Sequence, residues 1–174
     1  GTFPLTVPQT DETAFVQLIH NSPSQPINSV DIYINGELSL DDFSYRTATP
    51  FIEVPAGTPV EVAVAPPNST SAQDALLDTV LFLTPDVSYI GVAHGVFGSA
   101  ESPAELSVFN MGRQEASAEG NVDLLFFHGT PDAPGVDVTS GGNTVFDNIF
   151  YGTFSDDYVS IPAGPLSVDV TPAD

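Results

Sequence analysis

The sequence predicts an all-β fold with two tandem immunoglobulin-like antiparallel β-sandwich modules, of which the second is incomplete. Three observations support this prediction. The chain contains an internal repeat, its apolar and polar residues alternate over short stretches, and no stretch keeps a helical period for long. Its 174 residues leave room for two small modules, and a module of about 100 residues can bury its own core.

The internal repeat relates residues 15–64 to residues 123–170. The first copy contains HNSPSQPINSVDIYINGELSL and FIEVPAGTPVEVAV, and the second contains HGTPDAPGVDVTSGGNTVF and YVSIPAGPLSVDV. Only short insertions in loops are needed to align them. The matched positions include His20 with His128, Val30-Asp31 with Val136-Asp137, and Pro55-Ala56-Gly57 with Pro162-Ala163-Gly164.

The strands of the first copy are predicted from their alternation. Residues 30–34 alternate apolar and polar side chains, as in a half-buried strand, and the Asn35-Gly36 pair that follows favours a type I′ hairpin turn. Residues 60–64 alternate in the same way. Three further apolar stretches bring the total to about seven or eight strands, the number expected of an immunoglobulin-like sandwich. These stretches are residues 76–83, 87–94 and 104–110.

The second copy stops after its counterpart of the 60–64 strand, which carries Leu166, Val168 and Val170. It lacks a counterpart of residues 76–110, about three strands, so we expect unpaired edges and an uncovered apolar face. Either the 174 residues end inside the module, or another segment supplies strands. The predicted organisation is an extended tail (1–13), a first module (14–112), a linker (113–121) and the incomplete second module (122–174).

The N-terminal tail is a candidate donor strand. Phe3, Leu5 and Val7 alternate with proline and threonine in an extended pattern. Such a segment can add to the open sheet of a neighbouring molecule. This contact is head-to-tail, so it builds a ring or a filament. The sequence therefore predicts these three residues as assembly residues, and the alternative is that the tail is only a linker.

The repeated motifs resemble those of the DUF4397 domains, a family of extracellular β-sandwich domains of unknown function. The family pattern is H-x-S-P-D-A-P, then V-D-V-Y-V-N-G, then V-P-A-G-x-Y. In this chain it appears as His20-Asn21-Ser22-Pro23, residues 30–36 and Val54-Pro55-Ala56-Gly57, and again from His128 onward. The second copy departs from it at residues 139–142, where TSGG replaces the aromatic residue and Asn-Gly. The resemblance implies a sandwich fold and assigns no catalytic residues.

The charge of the chain favours a salt-adapted protein. It has 23 Asp and Glu against 2 Lys and Arg, a formal net charge of −21. Such a surface repels itself in dilute buffer, whereas in molar salt the Debye length falls to about 3 Å. The alternative is an acidic surface that binds calcium. Nucleic acid and anionic membranes are excluded as partners, because both need Lys and Arg.

The location is expected to be extracellular, at a cell surface. No stretch approaches the roughly 20 apolar residues of a membrane span. Cysteine is absent, which excludes disulfides and thiolate metal sites. Asn68-Ser69-Thr70 is an N-glycosylation sequon in a Pro- and Ser-rich loop.

The histidines are the first candidates for metal binding or catalysis. His20, His94 and His128 are the only side chains of the sequence that ordinarily titrate near neutral pH. One interpretation makes each of His20 and His128 a metal ligand with Asp31 or Asp137, or with His94 from a nearby strand end. We favour the other, in which each imidazole caps the turn that follows and bonds the Asp of the next strand. A metal site needs three or four converging ligands, and each copy supplies two.

Catalysis has little support in the sequence. It lacks a nucleophile elbow, and the neighbours Asp41 and Asp42 would point to opposite faces of a regular strand, as would Asp156 and Asp157. No cofactor is expected, and calcium binding by the exposed Asp-rich loops is kept as an alternative. Adjacent aromatic residues such as Phe126-Phe127 place one ring outward, where it would stack on a sugar or pack against another subunit.

These observations predict a non-catalytic extracellular structural or adhesive protein that self-assembles into a homo-oligomer or polymer by strand donation. The alternative is a carbohydrate- or cell-envelope-binding module, with or without calcium. A metal-dependent hydrolase that uses the histidines is a third and weaker hypothesis.

Overall fold

The computed structural model describes residues 12–173, and the following account concerns that part of the chain. The fold is all-β, as predicted, with two short 3₁₀ turns at Gln25–Ile27 and Ala72–Asp74. None of the described helical turns is long or apolar enough to cross a bilayer. The strands are β1 (Thr13–His20), β2 (Ser29–Ile34), β3 (Glu37–Ser44), β4 (Ile52–Pro55), β5 (Pro59–Ala65), β6 (Leu77–Phe82), β7 (Ser88–His94), β8 (Glu105–Phe109), β9 (Asn121–Leu124), β10 (Val136–Ser140), β11 (Asn143–Ile149), β12 (Val159–Pro162) and β13 (Asp169–Pro172).

The first copy is a sandwich of two four-stranded sheets. Sheet one has the strand order β4-β1-β7-β8, and sheet two has the order β3-β2-β5-β6. Alternate side chains of β2 and β5 face sheet one, so Val30, Ile32 and Val60 are buried in the core between the sheets. Asn35 and Gly36, with φ of 50° and 85°, join β2 to β3 as the type I′ signal predicts.

One pairing differs from the antiparallel prediction. β1 and β7 lie in parallel, from Phe15 beside Ser88 to His20 beside Ala93. A parallel pair needs a long crossover connection, and residues 21–87, which include all of sheet two, provide it. Alternation identifies a strand but not its direction, so the sequence pattern does not reveal this pair.

The second copy repeats the first five strands in the same register. β12 pairs with β9 so that Ile161 lies opposite Val122, and β13 pairs with β10 so that Val170 lies opposite Val138. The equivalent pairs in the first copy are Val54 with Ala14 and Val64 with Ile32. β9 to β13 are therefore counterparts of β1 to β5. Among the described strands, none takes the places of β6, β7 and β8 in the second copy.

The two copies pack together through the outer face of sheet one. Val92 on β7 and Phe109 on β8 share an apolar cluster with Phe127 and Phe154 of the second copy. The ring centroids of Phe127 and Phe154 lie 4.7 Å apart, and those of Phe109 and Phe154 lie 5.4 Å apart. One ring of the Phe126-Phe127 pair was expected to face outward. It is Phe127, which packs against the other copy of the same chain, whereas Phe126 packs in the core of its own copy. The Phe127 ring is therefore partly buried in the contact between the copies.

Arg113 fastens the segment between the copies. Its Nη1 donates to the Asp123 carboxylate at 2.6 Å, and its guanidinium lies 4.5 Å from the ring centroid of Tyr158. Burial alone would raise the pKa of Asp123, but hydrogen bonds from Arg113, Ser160 and Ser117 outweigh it and lower the pKa to about 2. One of the two basic side chains (Lys and Arg) of the chain is thus paired with a carboxylate at this junction.

The predicted boundaries lie close to the strand ends. β1 begins at Thr13 and β9 at Asn121, so these residues belong to strands rather than to the predicted tail and linker. The predicted assembly residues Phe3, Leu5 and Val7 lie outside the described residues.

Candidate functional site

The main candidate site is a set of exposed apolar residues on the second copy, which we call the uncovered face. It consists of Val122 on β9, Leu166 and Val168 just before β13, and Val170 on β13. Leu166 and Val168 are 43% and 46% exposed. Their first-copy counterparts, Val60 and Val62, are 1% and 9% exposed. Counterparts of buried core residues are therefore open to solvent.

The difference comes from missing neighbours. In the first copy, Val62 shares its cluster with Leu83, which follows β6, and with Tyr89 of β7. Among the described residues, the second copy has no strand in the places of β6 and β7, so Val168 has no comparable cover. A set of exposed apolar residues of this kind is a typical docking surface.

The edges beside the uncovered face are also unpaired within the described residues. β9 pairs only with β12, and β13 pairs only with β10. The free edge of each strand presents backbone N–H and C=O groups to an incoming strand. A strand added to the free edge of β13 would gain backbone hydrogen bonds and place alternate side chains against Val168 and Val170.

His20 and His128 are turn caps. His20 Nε2 donates to the Ile27 carbonyl at 2.6 Å, and its Nδ1 accepts from the Ser22 N–H at 3.4 Å. His128 forms the same pair of bonds, with the carbonyl of Pro134 at 2.9 Å and the N–H of Thr130 at 3.3 Å. Both ring nitrogens of each imidazole are therefore engaged by backbone.

Asp31 and Asp137 do not bond these histidines, so that part of the turn-cap interpretation is wrong. Each carboxylate accepts from the backbone N–H of a residue with positive φ: Asp31 from Asp42 at 3.0 Å, and Asp137 from Asn148 at 2.7 Å. At both places the strand register shifts by a bulge. The repeated Val-Asp pair thus fixes a β-bulge in each copy.

The bulge also corrects the expectation for the neighbouring acids Asp41 and Asp42. The φ of 52° at Asp42 breaks the alternation, so oxygen atoms of Asp31, Asp41 and Asp42 lie within 4.8 Å of one another. The second copy has Asn148 at the position of Asp42. Burial raises the pKa of Asp31, but hydrogen bonds from Ser69 and Asp42 outweigh it, so its pKa lies below the usual value. Asp and Asn both tolerate positive φ. The alignment of Asp42 with Asn148 in the repeat is therefore the sequence signal from which this bulge could be predicted.

His94 lies at the contact between the copies. It is fully buried, its Nε2 lies 2.8 Å from the Ser107 hydroxyl, and its ring centroid is 5.0 Å from that of Phe127. Burial lowers its pKa, and the carboxylate of Glu105, 3.7 Å away, partly offsets that effect. It does not join His20 or His128 in a ligand set, since both of those imidazoles are bonded to the backbone of their own turns.

The glycosylation candidate lies in an exposed turn. Asn68 is exposed with a φ of 66°, and the next residue, Ser69, donates its hydroxyl to Asp31 at 2.7 Å. The turn is therefore anchored to the bulge of the first copy. Modification of Asn68 stays a prediction.

A cavity that the sequence does not indicate lies between the sheets of the first copy. It has a volume of about 330 Å³ and opens between the edge strands β6 and β8. Its wall includes Ile32, Phe43, Val64 and Leu106. These residues have the pattern of an ordinary core, so periodicity alone does not distinguish a filled interior from this one.

Comparison with known proteins identifies one family. A model described as a domain of unknown function, DUF4397, matches residues 14–139 and again residues 122–174. The second match begins within β9, the first strand of the second copy. No curated protein matches the chain.

Proposed function

The chain belongs to the DUF4397 family, and from that premise we propose that it is a non-catalytic structural or adhesive protein of the cell exterior, which polymerises by strand donation. The observation that carries the proposal is the uncovered face. Val168 aligns in the repeat with the core residue Val62 and directly precedes β13, but it is about half exposed. A donated strand restores the burial that this position has in the first copy.

The donor in this proposal is the N-terminal segment of a second molecule. Phe3, Leu5 and Val7 recur at every second position, which is the spacing that places side chains on one face of a strand. The donor carries no charged side chain between residues 2 and 8, so it suits an acceptor in a chain of net charge −21. Burial of each apolar residue favours association by about 1.5–3 kcal/mol.

The acidic surface sets the conditions for assembly. Copies of a chain with net charge −21 repel one another in dilute buffer, and molar salt screens this repulsion. The proposal therefore places the protein outside the cell in concentrated salt, where acidic subunits associate without a cationic partner.

The first experiment measures molar mass in molar salt by light scattering, with electron microscopy of the same sample. We expect regular oligomers or filaments from the whole chain and monomers after deletion of residues 1–9. Val168→Asp on the uncovered face should also prevent assembly. Ser167→Asp is the matched control, because it adds the same charge at an adjacent position that is not in the uncovered face. A monomeric whole chain, or normal assembly of the deletion variant, contradicts the proposal.

The absence of cysteine allows a direct test of the contact. A Leu5→Cys chain mixed with a Val168→Cys chain should give one cross-linked heterodimer under mild oxidation, since a disulfide needs Cα atoms within about 7 Å. The control replaces Thr6, whose side chain points to the opposite face of an extended donor. Equal cross-linking from Leu5→Cys and Thr6→Cys would show that the contact is not a registered strand.

A carbohydrate- or cell-envelope-binding module assisted by calcium is the second candidate. The observation that favours this candidate is the cluster of three carboxylates at the first-copy bulge. Phe127 and Phe154 are partly buried between the copies, which counts against stacking on those two rings. Phe82 and Phe150 remain exposed. Saturable glycan binding by a monomeric chain, dependent on calcium, would favour this candidate over assembly.

A further inference from the structure

The strand β13 is shorter than β5, its counterpart in the first copy. β5 spans Pro59–Ala65, whereas β13 spans only Asp169–Pro172. In the repeat, residues 59–62 align with residues 165–168, and of these described residues only those of the first copy belong to a strand. The second copy therefore lacks the first half of this strand.

The absent half corresponds to the part of β5 that depends on β6. The ladder between β2 and β5 begins at Val62, so residues 59–61 have β6 as their only partner strand. In the second copy, β10 pairs with residues 169–172, and none of the described strands takes the place of β6. Residues 165–167 therefore need a strand in that place to extend β13 to the length of β5.

The pairing of β6 shows what a strand in that place must present. Thr79 of β6 lies opposite Val62, which is buried in the core. The core-facing residues of β5 also direct backbone groups toward β6, since the Val64 carbonyl accepts from the Leu76 N–H at 2.8 Å. Side chains and backbone groups both alternate along a strand. A replacement strand must therefore carry apolar side chains and N–H groups on the same residues, at every second position.

The N-terminal segment supplies this pattern. Its apolar residues at alternate positions, each with an N–H group, are Phe3, Leu5 and Val7. The apolar residues along the acceptor have the same spacing, and they are Leu166, Val168 and Val170. In an antiparallel strand, as in β6, the three donor residues face the core and bond the edge of β13. Full overlap of the two sets pairs Leu5 with Val168.

The prolines of the segment decide its direction. If it ran parallel to β13 with the same side chains toward the core, the handedness of L residues would turn the backbone groups of its apolar residues away from β13. Pro4, Thr6 and Pro8 would then face that edge, and the two prolines offer no N–H. In the antiparallel direction, Pro4 and Pro8 lie on the outer edge, where a strand tolerates proline.

We infer that the donated strand takes the place of β6 and runs antiparallel to β13. The facing pairs are Phe3 with Val170, Leu5 with Val168 and Val7 with Leu166. This inference rests on the proposed strand donation and adds the edge, the direction and the register of the contact.

Disulfide cross-linking between mixed chains tests the direction, because the sequence has no cysteine. Under mild oxidation in molar salt, a Phe3→Cys chain should cross-link with a Val170→Cys chain, and a Val7→Cys chain with a Leu166→Cys chain. Bonded residues that lie opposite each other have Cα atoms about 5.5 Å apart, which a disulfide can bridge. Non-reducing electrophoresis measures the product.

The matched controls are the exchanged mixtures, Phe3→Cys with Leu166→Cys and Val7→Cys with Val170→Cys. In the inferred register, the two cysteines of each exchanged mixture lie four positions apart along the strand, about 13 Å. This distance is too long for a disulfide, so the exchanged mixtures should give about tenfold less product.

Proline substitutions give a second test of the direction. Thr6→Pro removes an N–H that lies on the outer edge, so the midpoint of dissociation should change by less than about threefold. Leu5→Pro removes an N–H that bonds β13, and loss of that hydrogen bond should raise the midpoint about fivefold beyond the effect of Leu5→Ala. Light scattering across a dilution series in molar salt measures each midpoint.

The possible results separate this inference from strand donation itself. A whole chain that stays monomeric contradicts both. Assembly with cross-links in the exchanged mixtures, or assembly that Thr6→Pro prevents, would overturn the antiparallel direction and leave strand donation intact. Assembly in which Leu5→Cys cross-links with Val122→Cys, and not with Val168→Cys, would place the donated strand on β9 and overturn the assigned edge.

Discussion

Val62 and Val168 are aligned residues in the two copies of the repeat, yet only Val62 is buried. The apolar pattern of 60–64 recurs at 166–170, and β13 pairs with β10 as β5 pairs with β2. β13 begins only at Asp169, however, so Leu166 and Val168 precede the strand in which the sequence pattern places them. What differs is the presence of β6, β7 and β8. Local sequence thus establishes strands and register, whereas burial depends on strands that come later in the chain or from elsewhere.

Other features are the same in both copies. His20 and His128 close equivalent turns, and Asp31 and Asp137 hold equivalent bulges. These devices use partners within about a dozen residues, so they form whether or not the sandwich is covered. The repeat therefore separates what a short segment needs from what a whole module needs.

The largest expected difference between the copies concerns their paired valines. Val62→Ala should lower the free energy of unfolding by about 2 kcal/mol, because it removes two buried carbon atoms and leaves a cavity. Val168→Ala should change it by less than about 0.5 kcal/mol in a monomer. Urea unfolding of both variants at low protein concentration measures the difference. Equal losses would mean that Val168 is covered even in the monomer.

In the assembled protein, the difference between the effects of Val62→Ala and Val168→Ala should be smaller. If a donated strand covers Val168, its replacement by alanine should weaken assembly while Ser167→Ala leaves assembly unchanged. Light scattering across a dilution series gives the midpoint of dissociation. A midpoint that does not move would place the contact elsewhere.

A change of pH should have a smaller effect on stability, through His20 in the first copy and His94 at the contact between the copies. Burial lowers the folded-state pKa of His20 and His94, and the bond of His20 to the Ile27 carbonyl and the charge of Glu105 oppose it only in part. Because the unfolded values lie near 6.5, the unfolded state binds more protons just below that pH. Stability should be complete above about pH 6.5 and fall as the pH drops through the lower folded values.

Unfolding midpoints between about pH 8 and pH 5 in molar salt test this direction. His94→Gln should reduce the slope, since it removes one titrating group while keeping a side chain able to bond Ser107. Asp123, whose pKa is lowered to about 2, should keep its contribution until the pH falls below about 4. A flat profile from pH 8 to pH 5 would contradict the burial effect on the two histidines.

The smallest expected effect exchanges residues between the two bulges. Asp42→Asn gives the first copy the residue of the second, and Asn tolerates the positive φ there. Loss of one of three close carboxylates should stabilise the protein by a few tenths of a kcal/mol in dilute buffer and by nothing measurable in molar salt. Asn148→Asp should have the opposite sign. Destabilisation by Asp42→Asn only when calcium is present would show instead that the cluster holds the ion.

Much of the architecture was predictable because strands and turns carry local signals. Alternation at 30–34 located β2, Asn35-Gly36 located the hairpin, and the aligned Pro-Ala-Gly motifs related β4 to β12. The bulge at Asp42 departs from the prediction, because alternation assumes a regular strand through the two adjacent acids. One outward ring in the Phe126-Phe127 pair was expected, but the contact of that ring with sheet one was not. Periodicity shows that one side of a strand faces away from the core but does not show what packs against that side.

By itself, the sequence determined the β-class, the repeat, the extreme acidity and the five strands that both copies share. These properties depend on side-chain alternation, turn residues and composition, all of which act over short distances along the chain. Only the tertiary structure decided that β1 and β7 run in parallel, that the copies meet at His94 and Phe127, and that a cavity lies between β6 and β8. Those features depend on contacts between residues far apart in sequence, and the pattern of any one strand is compatible with several such neighbours.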